Sequence, residues 1–318
     1  MTKLDFPVNR ILPVVFSVVV ALLFTPLPAA GQERAAAERA PSAAANLTWV
    51  VWGMNYTRAA LGLDVAYRIP LFKKPGILWQ TSNITVGFQE LYSFTNNSVG
   101  GYAEITPIAL FKLRVQASYD YLPVEFFDGG VRVLTEVGRD RLDRGRVERG
   151  DPDAVDWVDG IDNRDVFFEP INGQGFRLQI QPTLQGKVGP VALQYNFTAD
   201  FNVYSAGDYD RGDIYYDPGT FTLRELRDRG YMHELVAVHQ AAVGGGGLTV
   251  GVTGTYYSVA GTGLDSLSIN GLAVYRLAWK HRSWKPWFAT QIGTHLDDPM
   301  HQYDIGWMAV TGMNIDLL

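Results

Sequence analysis

From Leu61 to Leu71 the odd positions are Leu61, Leu63, Val65, Tyr67, Ile69 and Leu71, while the even ones include Gly62, Asp64, Ala66 and Arg68. Successive side chains of a strand point to opposite faces, so this stretch predicts a strand with one apolar face and one polar or small face. The pattern recurs. Phe111, Leu113, Val115, Ala117, Tyr119 and Tyr121 alternate with Lys112, Arg114, Gln116, Ser118 and Asp120. Phe176, Leu178, Ile180 and Leu184 alternate with Arg177, Gln179, Gln181, Thr183 and Gln185; after a turn, Val191 to Val203 alternates apolar odd positions with Gln194, Asn196, Thr198, Asp200 and Asn202.

Each run spans ten residues or more, where strands of soluble proteins usually have about 5 or 6. A strand tilted through a bilayer needs roughly 9 to 11 residues, and a lipid-facing apolar band opposite a polar lumen produces this alternation. Within lipid no water satisfies backbone N–H and C=O groups, so such a sheet must close on itself. The expected fold class is all-β: a closed antiparallel transmembrane β-barrel with long extracellular loops.

The links between the runs predict the two sides of the membrane. Short ones are Phe72 to Gly76, Pro107 to Ala109, Gly186 to Pro190, Gly244 to Gly247 and Lys280 to Pro286; longer ones are Phe94 to Val99, Leu122 to Asn172, Ser205 to about Gly230, Ala260 to Asp265 and Asp297 to Gln302. Short periplasmic turns and long outside loops are the rule for this architecture. Both chain ends then lie in the periplasm, which requires an even number of strands. Counting back from Tyr303 to Leu317 gives eleven, and Leu47 to Tyr56 supplies the twelfth; ten and fourteen remain open.

The first residues have a charged start with Lys3 and Arg10, an apolar run from Ile11 to Phe24 and a small-residue tail, Pro28 to Gly31. This is the layout of a secretory signal peptide cut before Gln32. The competing reading is an N-terminal anchor, but the run falls short of the roughly 20 residues a spanning helix needs and Pro13 interrupts it. The expected organisation is a cleaved signal peptide over 1–31, a polar periplasmic linker over 32–46 and a barrel over 47–318, with a charged extracellular loop over 122–172.

Charge and composition exclude several classes. The chain carries net charge −6; Lys3 and Arg10 against Asp5 give the leader +1, so its removal leaves −7. Without a basic stripe, nucleic acid is a poor partner. The chain has no cysteine, which removes lipoprotein anchoring, disulfides and thiolate chemistry.

With its amphipathic strands, signal peptide and alternating links, the stretch from Leu47 to Leu318 resembles Gram-negative outer-membrane β-barrel proteins as a class, porin-like in build. The resemblance implies the bacterial outer membrane, contact with its lipid and lipopolysaccharide, and insertion by the barrel-assembly machinery. The chain departs from the class pattern in ending Asp316-Leu317-Leu318, where such proteins typically carry an aromatic residue.

The candidate lumen is lined by Asp64, Arg68, Lys112, Arg114, Asp120, Arg177, Gln179, Gln181, Gln194, Asn196 and Asp200, with Asp316 further down. Patches of side-chain charge select solutes in pores, so the leading expectation is a passive channel for small hydrophilic solutes or ions, with Arg68, Lys112, Arg114 and Arg177 as its cationic wall. In the competing reading these groups pair across a closed structural or adhesive barrel that acts through its loops. Arg139 to Asp165 interleaves six arginines with nine aspartates and glutamates; it either folds into the mouth or covers it from outside. Its carboxylates lack the glycine and closing glutamate of an EF-hand, and no metal site, cofactor or catalytic residue is expected. A lipid hydrolase using His295 or His301 with Ser258 or Ser266 is the third reading.

Overall fold

The computed structural model describes residues 41–53, 57–72, 76, 78–79, 81–93, 96–124, 130–139, 167–217, 220, 222–279, 283–297 and 305–317. The signal-peptide segment, most of Arg139 to Asp165, His301 and Leu318 lie outside them.

Twelve long strands form the wall: β1 (Ser42–Gly53), β2 (Thr57–Pro70), β3 (Asn83–Ser93), β4 (Asn97–Ile108), β5 (Phe111–Leu122), β8 (Gly173–Val188), β9 (Val191–Ala206), β12 (Arg227–Val243), β13 (Gly246–Val259), β14 (Asp265–Arg276), β15 (Trp284–Asp297) and β16 (Ile305–Asp316). Chain neighbours pair antiparallel, and β1 closes on β16, so the barrel has no free edge. β1 opens at Ser42, so Ser42 to Asn46 belong to the wall and not to the expected linker; Ala44 already pairs with Asp316.

The alternation assigns the faces. Phe176, Ile292 and Ile305, 65%, 60% and 62% exposed, belong to an outward apolar belt drawn from every wall strand, whereas Asp120, Asn196, Asp200 and Asn202 on the opposite face are buried. Exposed apolar side chains over this area are stable only against lipid.

Turns differ from expectation at two links. Between β2 and β3 the chain runs from Leu71 to Ser82, with Trp79 N–H donating to Gly76 O (3.0 Å) and Ser82 N–H to Trp79 O (3.1 Å). Its apolar Leu78 and Trp79 belong to this turn and not to a strand: Leu78 O accepts from Ala109 N–H at 2.9 Å, tying it to the neighbouring β4–β5 turn. Conversely β4 begins at Asn97, and Ser93 N–H bonds Asn96 O (3.0 Å), so the expected long link after Phe94 is a tight one. At the β12–β13 turn Gly244 and Gly245 have φ of 58° and 80°, the pair of positive angles that a two-residue hairpin matching strand twist demands.

The two longest outside links fold together. β6 (Val131–Leu134) and β7 (Phe168–Ile171) come from one; β10 (Ile214–Asp217) and β11 (Thr222–Glu225) come from the other. They make a four-stranded sheet ordered β11-β10-β6-β7. One face sets Val131, Val133 and Tyr215 against Leu122, Tyr204 and Ala206 of the inner wall. The other buries Leu134, Phe168, Tyr216 and Leu223, with Leu264 of the β13–β14 link packed on them. The sheet therefore lies inside the outer end of the barrel, bridging from β5 and β9 toward the β13–β14 link.

Candidate functional site

All eleven sequence-derived lumen residues lie on the inward face, on β2, β5, β8 and β9. They fall into three zones. At the outer end, Arg177 forks onto Asp200, Nε to Oδ1 at 2.8 Å and Nη2 to Oδ2 at 2.6 Å. Arg224 of β11 donates from Nη1 to the same Asp200 oxygen at 2.6 Å, and Asp217 of β10 accepts from both guanidiniums at 3.3 Å. The Arg224 side chain is 0% exposed. Two cations and two anions thus join the sheet to the wall with their charges balanced, while Arg224 Nε and Nη2 are buried with no hydrogen-bond partner among the described residues. Burial opposes the Arg224 charge, but Tyr215, Asp217, Tyr257 and Asp200 around it hold the guanidinium above its ordinary range. Asp120 accepts from Ser98 (2.5 Å), Ser118 (3.2 Å) and the Tyr204 hydroxyl.

Arg177 therefore does not belong to a free cationic wall. Its charge is spent on Asp200 and Asp217, partners 23 and 40 residues away in the chain.

In the middle zone Arg114 donates from Nη2 to Gln89 Oε1 (2.9 Å) and lies 3.7 Å above the centre of the Tyr102 ring, whose hydroxyl donates to Asp64 (3.0 Å). That ring covers Gly87, where a Cβ would stand 2.3 Å from its Cζ. Asn196 accepts from Thr183 (2.8 Å) and Gln194 (2.9 Å) and donates to Glu234 (2.5 Å). Gln179 and Gln181 are partly exposed, and Arg68, opposite Ser42 near the end of β2, is exposed. Toward the periplasm Lys112 stands 3.6 Å from Glu104 and Lys285 2.6 Å from Asp316. Most of these contacts run along one wall, between strands one or two places apart, while Lys285 and Asp316 lie on the opposite wall.

Sequence reasoning missed Asp217, Arg224 and the inner sheet. The signal was present: Ile214 to Asp217 and Thr222 to Glu225 are β-prone stretches flanking Asp-Pro-Gly-Thr, a hairpin pattern. His295 lies within β15 opposite Ser268, on the inward face, away from outer-leaflet lipid. No group of three or more metal-ligating side chains occurs among the described residues.

No family model matches the chain, and no curated protein matches its sequence. Among solved structures it is similar to the β domain of the Bordetella autotransporter BrkA (11% identity, 87% of this chain and 99% of that one, TM-score 0.44). It is similar also to the translocator domain of the autotransporter NalP from Neisseria meningitidis (7%, 96% and 96%, 0.42) and to an outer membrane channel from Pseudomonas putida (8%, 92% and 100%, 0.39). The closed wall and outward apolar belt of this chain are the architecture of an outer-membrane β-barrel.

Proposed function

We propose that the protein is a passive channel of the bacterial outer membrane for small hydrophilic solutes or ions, its outer mouth narrowed by the inward-folded sheet. The observation that carries this reading is that Lys112, Arg114, Gln179 and Gln181 stay partly exposed on the inward face of a closed wall, with Arg68 exposed near the turn end of β2. Eight strands leave an interior that side chains fill; twelve leave room for water beside these groups. In this reading the leader over 1–31 is removed on export, the belt meets lipid and lipopolysaccharide, and the barrel-assembly machinery inserts the chain.

Single-channel recording of the refolded chain from Gln32 to Leu318 in a planar bilayer tests it. Discrete conductance steps are expected, and joint replacement of Arg68, Lys112 and Arg114 by glutamine should shift ion selectivity toward cations. Unchanged selectivity in a conducting pore rules out this wall as the filter. The second reading, a closed structural or adhesive barrel, draws support from the sheet pinned across the mouth by Arg177, Asp200, Asp217 and Arg224. Electrical silence from a demonstrably folded barrel would favour it.

A further inference from the structure

The inward face is divided into two unlike walls. β2 to β9 carry most of the charges and amides described above. Across the lumen, the inward positions of β14, β15, β16 and β1 include six apolar side chains at mid-height, Leu272, Ala289, Met308, Val310, Val50 and Trp52, with Gln291 among them and Lys285, Asp316 and His295 toward the ends. The register brings them together: Val50 pairs with Val310, Trp52 with Met308 and Ala289 with Val310, and Leu272 joins them across Gln291, which pairs with both Leu272 and Met308. Five of the six are only partly buried, Val310 being the exception at 8% exposed. In a barrel these side chains turn away from lipid, and among the described residues no packed core covers the five that are partly exposed. Apolar surface left in a watery lumen forgoes roughly 25 cal/mol for each Å² it could bury.

Arg114 faces this patch. β5 and β15 stand six places apart in the ring of twelve, which sets them opposite each other. The Arg114 guanidinium reaches Gln89 and Tyr102, halfway up β3 and β4, as Ala289 and Val310 stand about halfway up β15 and β16. Its Nε is buried with no hydrogen-bond partner, and among the described residues no carboxylate lies within ion-pair distance of it. The tyrosine ring beneath and Gln89 at one nitrogen hold the guanidinium in a fixed plane, with donors left over. A planar fork with free donors matches a carboxylate. Ligand sites of mostly apolar lining with a few placed polar groups are the general pattern.

From these two walls we infer that the lumen binds small organic acids with an apolar body, the carboxylate on Arg114 and the apolar part on the β14–β1 wall. The inference rests on the water-filled lumen of the proposed channel and names its solute class.

The test is equilibrium dialysis of 4-phenylbutyrate against the refolded chain in lipid nanodiscs, with empty nanodiscs as baseline and butyrate and 4-phenylbutanol as probes lacking one half of the ligand. Phenylbutyrate should bind about tenfold or more tightly than either probe. Arg114→Gln should weaken phenylbutyrate about tenfold and leave phenylbutanol unchanged; Leu272→Thr with Met308→Thr should weaken both ring-bearing compounds. Arg114→Lys, which keeps the charge and loses the fork, should fall between and guards against a misfolded glutamine variant. Equal binding of butyrate and phenylbutyrate, or full binding by folded Arg114→Gln, overturns the inference. Conductance without such binding refutes it and leaves the channel standing; binding without conductance refutes passage and leaves the site standing.

Discussion

Replacing Arg224 by leucine removes a side chain through which β11 grips the barrel wall electrostatically. The guanidinium is 0% exposed and bonds Asp200 at 2.6 Å and Asp217 at 3.3 Å. Deleting one partner of a buried ion pair costs about 3–5 kcal/mol, because the charge left behind is uncompensated. Here both carboxylates keep Arg177, bidentate on Asp200 and at 3.3 Å from Asp217, which places the cost at the lower end, about 3 kcal/mol. The loss falls on docking of the inner sheet and not on the wall, whose strands share none of their ladder bonds with β11. Hydrogen exchange of the β10 and β11 amides reads it directly: at about 1.4 kcal/mol for each factor of ten, exchange of Tyr215 and Tyr216 should quicken roughly a hundredfold, with β13 to β15 unchanged. Adding Asp217→Leu leaves Arg177 and Asp200 as a matched pair, and the double variant should recover part of the protection. Exchange that barely changes in β10 and β11, or that rises equally in the wall, would refute the role given to the quartet.

Other consequences are as direct. Gly87→Ala places a Cβ against the Tyr102 ring, which must leave Asp64 and Arg114; thermal denaturation should show a loss of about 1–3 kcal/mol, largely relieved by Tyr102→Leu. Ile292→Arg puts a cation on the lipid face near the middle of β15, where the cost approaches 2–4 kcal/mol; insertion into vesicles should fall, while Gln291→Arg, on the inward side, should insert normally. The Tyr209 hydroxyl donates to Glu169 at 2.6 Å, and that bond, then burial, pushes its pKa up to about 12. A raised value means stability fully present below the ordinary value near 10 and lost as the pH rises through about 12. Near-ultraviolet circular dichroism of Tyr209→Phe should therefore lack part of the transition that the unaltered chain shows across that window.

Period-two patterning is a local property, and it made the wall strands and their faces legible before any contact was known. Asp64, Lys112, Arg114, Gln179 and Asp200 turn inward because each is flanked by lipid-facing apolar neighbours one residue away. Closure followed as well, from hydrogen bonding that leaves no edge in lipid, and the even strand number from placing both chain ends on one side of the membrane. What the sequence did not disclose is where each charge is spent. Arg177 looked like a free cation and is paired, since its partners arrive from β9 and from a hairpin inside an outside link. Four short strands, from Val131 to Glu225, assemble only once the barrel has brought their links together, and each alone is too short to show a period. The division of the lumen into a polar and an apolar wall is likewise decided by closure. Leu272 and Val50 are more than two hundred residues apart in the chain, and only the circle of strands sets them on one surface opposite Arg114.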